Sequence, residues 1–226
     1  MNREATLAQL MGLVREQFSY EELCRLSPEA KTQYQALLTH FETVNNSAAS
    51  THEKGAALEE LVSFLFKISG NVFSIVKNVR TSTNEIDEIV QLNSTGTCLL
   101  ANGLLPKRLS AFLGECKNYN TSVSVTYVGK FYSLLQSTEL KTGILFSYYG
   151  ISGQNWSDWA GLVKKLYLQR ENEPSRVAIL EFSISDFRAI LDGHNFFELI
   201  EAKLKALQFD TSVSAFISKH PAEALL

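Results

Sequence analysis

The chain has 226 residues, 45% hydrophobic and 20% charged, a balance that suits a globular protein with one sizeable core and excludes a disordered chain. Its 21 Lys and Arg against 24 Asp and Glu give a formal net charge of -3, so the molecule as a whole offers nucleic acid no broad attraction, although a local basic rim suffices for phosphate contacts. No apolar run reaches the ~18 residues of a membrane span, and Met1-Asn2-Arg3-Glu4 lacks the layout of a signal peptide, so the expected location is the cytoplasm, with no membrane partner.

Leu7, Leu10, Met11, Val14 and Phe18 fall at helical spacing and predict a first helix over Arg3 to Phe18. Ser27-Pro28-Glu29 reads as an N-cap with proline at the first helical position, opening a second helix that carries Tyr34, Leu37, Leu38 and Phe41 on one side. The polar run Asn45 to Ser50 ends it and reads as a hinge or linker, which separates a helical N-terminal region, 1–46, from an α/β domain, 47–226. Ser50 and Glu53 fit a capping box, and Leu58, Leu61, Val62, Leu65 and Phe66 form the stripe of a third helix ending near Gly70.

Strands are expected at Val72 to Val79 and Glu85 to Leu92. Asn93-Ser94-Thr95-Gly96 then reads as a hairpin turn into a strand at Thr97 to Leu100, and Ala101 to Ser110 as a loop. A strand at Leu113 to Lys117, a helix at Val125 to Thr138, a strand at Thr142 to Tyr148 and a helix at Ser157 to Gln169 follow. A strand at Arg176 to Phe182, a short helix capped by Ser185 and a last helix from Asn195 close the chain. Strand and helix alternate in the second half, so the expected fold is α/β, a mixed central sheet flanked by helices with an added N-terminal helical region.

Chemistry concentrates between Asn84 and Lys117. Side chains alternate faces along a strand, so Glu115 and Lys117 point the same way, with Asp87 on the neighbouring strand. The helix with Gly55-Ala56-Ala57-Leu58-Glu59, then Glu85-Ile86-Asp87, then Gly114-Glu115-Cys116-Lys117, then a helix and the strand Gly143 to Ser147, resembles the core of the PD-(D/E)XK, or restriction-endonuclease-like, superfamily. The order and spacing are most similar to its Mrr-type branch. The likeness runs from Ser50 to Ser183.

The resemblance implies a Mg²⁺-dependent DNA endonuclease acting in restriction or defence, with Mn²⁺ as a possible substitute. Asp87 and Glu115 would hold the metal, with the backbone carbonyl of Cys116 as a further oxygen ligand. Lys117 would orient or help deprotonate the attacking water and offset charge on the phosphorus. Glu59 matches the family's helix glutamate, binding the metal through water or steering Lys117. Glu115 stands where the Mrr-type branch often has glutamine, and no proline precedes Asp87. DNA is the implied partner; two cores acting on two strands favour a homodimer, and the N-terminal helices are a place for further subunits.

Other readings stand beside this one. Glu115 and Lys117 taken alone are an exposed ion pair on an edge strand. Glu85 and Glu88 flank Asp87; Glu85 shares its strand face and reads as an extra ligand or, more simply, as a solvated neighbour, and Cys116 reads as a packing residue. Cys24, Cys98 and Cys116 are odd in number and far apart, which suits free thiols. Lys77, Arg80, Lys107, Arg108, Lys130 and Lys141 border the site as phosphate contacts or as plain surface charge. Trp156, Trp159, Tyr148 and Tyr149 offer stacking faces but suit core packing better. The rival functions are an inactive DNA-binding or scaffold subunit of a nuclease complex, and an interaction protein working through its N-terminal helices.

Overall fold

The computed structural model describes residues 12, 16–80, 85–151, 159–169, 172, 175–213 and 216, with the side chains of 78, 80, 85, 86, 159 and 160 outside the description. Most of the helix expected over residues 3–18 lies outside them, as do Asn84, Trp156 and the side chain of Trp159.

Local capping starts most of the helices. After a single turn, α1 (Tyr20–Leu23), the Ser27 side chain accepts from Ala30 N at 3.1 Å and Pro28 opens α2 (Pro28–Asn45). Ser50 and Glu53 form the expected capping box at the head of α3 (Thr51–Ile68), each satisfying a backbone N–H of the other. α7 (Ile184–Leu191) is capped two residues earlier than Ser185, by Ser183, whose N donates to Asp186 Oδ2 at 2.8 Å. Asn195 caps α8 (Phe196–Phe209), accepting from Glu198 N at 2.9 Å.

Five strands, β1 (Phe73–Arg80), β2 (Glu85–Leu92), β3 (Ala111–Cys116), β4 (Thr142–Phe146) and β5 (Ala178–Phe182), lie side by side in chain order. The first three run antiparallel and the last three parallel. The parallel pairs need crossovers, supplied by α5 (Val125–Ser137) and α6 (Trp159–Leu168). The architecture is therefore a mixed α/β sheet with flanking helices and additional helices at the N-terminal side.

The sheet's two faces are covered differently. Phe66 of α3 meets Phe73, Phe112, Phe146 and Phe196, which places α3 and the start of α8 on one face. α5 covers the other, with Phe131 and Leu135 lying over Gly143 of β4. α2 joins the same core: Tyr34, Leu38 and Phe41 are buried, and the Tyr34 hydroxyl donates to Phe187 O at 2.9 Å.

The expected hairpin after β2 does not form. Asn93 instead accepts from Gly96 N at 3.0 Å and caps a helix, α4 (Ser94–Ala101). Asn-Ser-Thr-Gly serves a turn and an N-cap equally well, and packing decides between them: a Cβ on Gly96 would stand 2.5 Å from Val72 O, so the glycine lets the new helix lie against the start of β1. A short 3₁₀ turn, Lys107–Leu109, then leads into β3.

Candidate active site

The β2–β3 ladder closes at Glu88 opposite Gly114. Asp87 and Glu115 are the next residues beyond it, and alternation puts both, with Lys117, on the α5 face at the carboxyl end of β3. The three side chains meet there. Lys117 Nζ lies 2.9 Å from Asp87 Oδ2 and 2.7 Å from Glu115 Oε1.

A fourth side chain completes the group. Tyr127, in the first turn of α5, donates its hydroxyl to Glu115 Oε1, and the Lys117 ammonium stands 5.6 Å from the centre of its ring. Nothing in the local sequence marks Tyr127: it reads as one more aromatic on an amphipathic helix, and only the docking of α5 on the sheet brings it to Glu115.

The electrostatics follow from enclosure. Glu115 is 4% exposed, and burial raises its carboxyl above the ordinary value against the opposing pull of Lys117 and Tyr127, with Asp87 adding to the rise. Burial by itself would lower Lys117. The Glu115 charge and the hydrogen bonds to both carboxylates outweigh it and hold the ammonium above its ordinary value. The Tyr127 phenol is raised by burial first and by Glu115 second.

The donor set suits a hard divalent cation. Lys117 takes one oxygen of each carboxylate; Asp87 Oδ1 and Glu115 Oε2 make no hydrogen bond among the described residues. Two carboxylate oxygens and a main-chain carbonyl match the needs of Mg²⁺, which keeps several waters. No cluster of three or more His, Cys, Asp or Glu side chains able to hold a metal occurs among the described residues, so a cation here would depend on water and substrate for the rest of its shell.

The remaining expected site residues lie elsewhere. Glu59 is exposed on α3 and makes no contact with Asp87, Glu115 or Lys117 among the described residues; its charge bears on Glu88 and Cys116. The Cys116 side chain alternates with Glu115 and turns to the α3 side, where burial pushes its thiol well above the usual range. Glu88 is a surprise. Read as a flanking neighbour of Asp87, it is 2% exposed, with Lys77 Nζ 3.1 Å from Oε1 and no partner for Oε2 among the described residues.

The basic residues divide by strand direction. Lys77 is engaged on the α3 side, donating to Ser63 Oγ at 2.7 Å beside Glu88. Lys107, Arg108 and Lys141 precede β3 and β4, so parallel strands put them at the amino ends, roughly 17 Å of strand from Lys117. There Arg108 donates to Arg176 O at 2.9 Å and lies over the Tyr167 ring. Lys130, exposed on α5 one turn past Tyr127, is on the helix that covers the site, and Arg80 has its side chain outside the description. Tyr148 is buried against Phe41, whereas Tyr149 is 48% exposed, against the expectation of core packing.

A cavity of about 440 Å³, lined by Cys24, Arg25, Lys31 and His194 among others, shares no residue with this group. The three cysteines are free, and no helix among the described residues is long and apolar enough to cross a membrane.

No protein-family model matches the sequence, and no curated protein matches it. Among solved structures the chain is similar to the DNA modification-dependent restriction endonuclease AspBHI, with a TM-score of 0.40 and 16% identity over 86% of this chain and 43% of that one. The chain thus spans less than half the length of that enzyme, and so loose a superposition leaves the reading of the site to its own geometry.

Proposed function

We propose that this chain is a Mg²⁺-dependent endonuclease that hydrolyses DNA phosphodiester bonds, with a restriction-endonuclease-like core of the Mrr type and a role in restriction or defence. The observation that carries the reading is the convergence of Asp87 Oδ2 and Glu115 Oε1 on Lys117 Nζ, at 2.9 and 2.7 Å. An isolated surface ion pair needs one carboxylate; two on one ammonium, one of them buried, leave excess negative charge that a cation relieves.

Asp87, Glu115 and the carbonyl of Cys116 would hold the metal, for which Mn²⁺ can substitute. Bound there, Mg²⁺ supplies an acidified water and offsets charge on the phosphate. The residues of the chain do the positioning. Because both carboxylates keep Lys117 protonated, it suits donation to a non-bridging phosphate oxygen better than proton abstraction. Tyr127 holds Glu115 Oε1 in place. The water oxygen forms the new bond to phosphorus, the bond to the leaving alcohol breaks in line with it, and that alcohol ends protonated.

Nicking of supercoiled plasmid with Mg²⁺ or Mn²⁺ tests this. Asp87→Asn and Lys117→Ala are each expected to lower the rate by about 100-fold or more, and Mg²⁺ to raise the melting temperature of wild type but not of Asp87→Asn. Nicking that survives both substitutions would sink the site. Wild type that binds DNA without cutting it would instead mark an inactive DNA-binding subunit.

A further inference from the structure

Lys54, in the first turn of α3, is 6% exposed, yet among the described residues its ammonium has one hydrogen-bond partner, Asn120 Oδ1 at 2.9 Å. No carboxylate pairs with it among the described residues. The contrast lies within the same molecule: Lys203, 8% exposed, is paired with Asp186 at 2.9 Å. A lysine enclosed to this degree is normally matched by an acid, because desolvating an ammonium against a neutral amide leaves most of the cost uncompensated. Two of its three N–H donors have no acceptor among the described residues.

The surroundings of Lys54 are also incompletely satisfied. Asn118 donates Nδ2 to Lys54 O at 3.0 Å, and its Oδ1 has no hydrogen-bond partner among the described residues. Lys117 N donates to Phe146 O at 2.9 Å, which carries the β3–β4 register one residue past Cys116 opposite Phe146 and leaves Asn118 just beyond the carboxyl end of β3. Asn118 is the residue after Lys117. The enclosed cation therefore sits beyond the end of the strand that carries the acid–lysine group, on the α3 side of it.

We infer that Lys54 forms a subsite for a phosphate group of the DNA backbone next to the scissile one. The inference rests on the endonuclease reading and adds to it a residue that takes substrate charge. The ammonium supplies the countercharge and its two remaining donors, and Asn118 anchors the α3 backbone that presents Lys54. An otherwise acidic chain thereby gains a local positive point beside Asp87 and Glu115, and the position reserved for an acid partner is filled by the substrate.

The test uses the full chain and Lys54→Met, which keeps the length and apolar stem but not the charge. Fluorescence anisotropy with a short DNA duplex in EDTA is expected to show binding weakened about tenfold. The slope of log K against log salt should become shallower by about 0.9, the loss of one phosphate contact. Lys54→Arg should recover both, and the melting temperature of Lys54→Met should equal or exceed that of wild type. Unchanged affinity and slope would overturn the inference, as would a Lys54→Met chain that melts well below wild type while Lys54→Arg binds no better than it does. Should wild type bind no duplex at all, the endonuclease reading falls and inorganic phosphate decides the subsite: a thermal shift in wild type that is absent in Lys54→Met supports it, and equal shifts, or none, overturn it.

Discussion

Glu115 Oε1 accepts from both Lys117 and Tyr127, so deleting either donor weakens the hold on a carboxylate that water scarcely reaches. Tyr127→Phe removes one hydroxyl and leaves the ring under Lys117. A hydrogen bond to a buried charge is worth about 1.5–3 kcal/mol, and that is the expected loss in urea denaturation, together with a partial fall in nicking rate. Wild-type stability in the variant would show that the hydroxyl does not hold Glu115. Glu181 offers a pH test away from the site. Burial raises its carboxyl above 4.5, against the pull of Lys203 and of Ile151 N, which donates to Oε2 at 2.9 Å. A carboxyl raised in the folded state favours folding below its unfolded value, and that contribution is lost as pH rises through the folded value. Glu181→Gln keeps an acceptor for Ile151 and drops the charge. Its melting temperature is expected to match wild type near about pH 4 and to gain on it toward about pH 7; a constant difference across that range would contradict the assignment.

At the scale of elements, the placement of Tyr127 depends on how closely α5 lies on β4, and Gly143 sets that distance. A Cβ there would stand 2.6 Å from Phe131 Cε1 and 2.9 Å from Leu135 Cδ1, and an aromatic ring in a packed core has little room to give. Gly143→Ala is expected to cost about 1–3 kcal/mol and to displace α5, so stability and nicking should fall together. A variant that melts like wild type would mean that α5 can lift without cost. Caps at Ser27, Ser50 and Asn195 were legible in the sequence, because a cap is a contact between residues three apart. The helix after Asn93 was not, because the choice between turn and cap was made by Val72, a residue some twenty positions away just before β1.

For the molecule as a whole, α2 matters most. Phe41 touches Tyr148 and Phe187, and Tyr34 reaches the main chain of α7, so the first long helix shares the core of the sheet. Phe41→Ala is expected to cost about 3–5 kcal/mol and to lower one cooperative transition. Two separate melts, with only one shifted, would instead mark the region before residue 47 as a unit of its own. The sequence by itself determined the kinds of residue at the site and that Glu115 and Lys117 share a face, since alternation is a property of the strand backbone. It likewise determined most helix starts. Only the tertiary structure decided which helix covers which face, and with that the roles of the remaining residues. It brought Tyr127 to Glu115, left Glu59 exposed on α3, put Lys107 and Arg108 at the far end of β3, and enclosed Lys54 with no acid paired to it among the described residues. Packing of distant segments sets burial, and burial, not residue type, separates a solvated charge from one that awaits a partner.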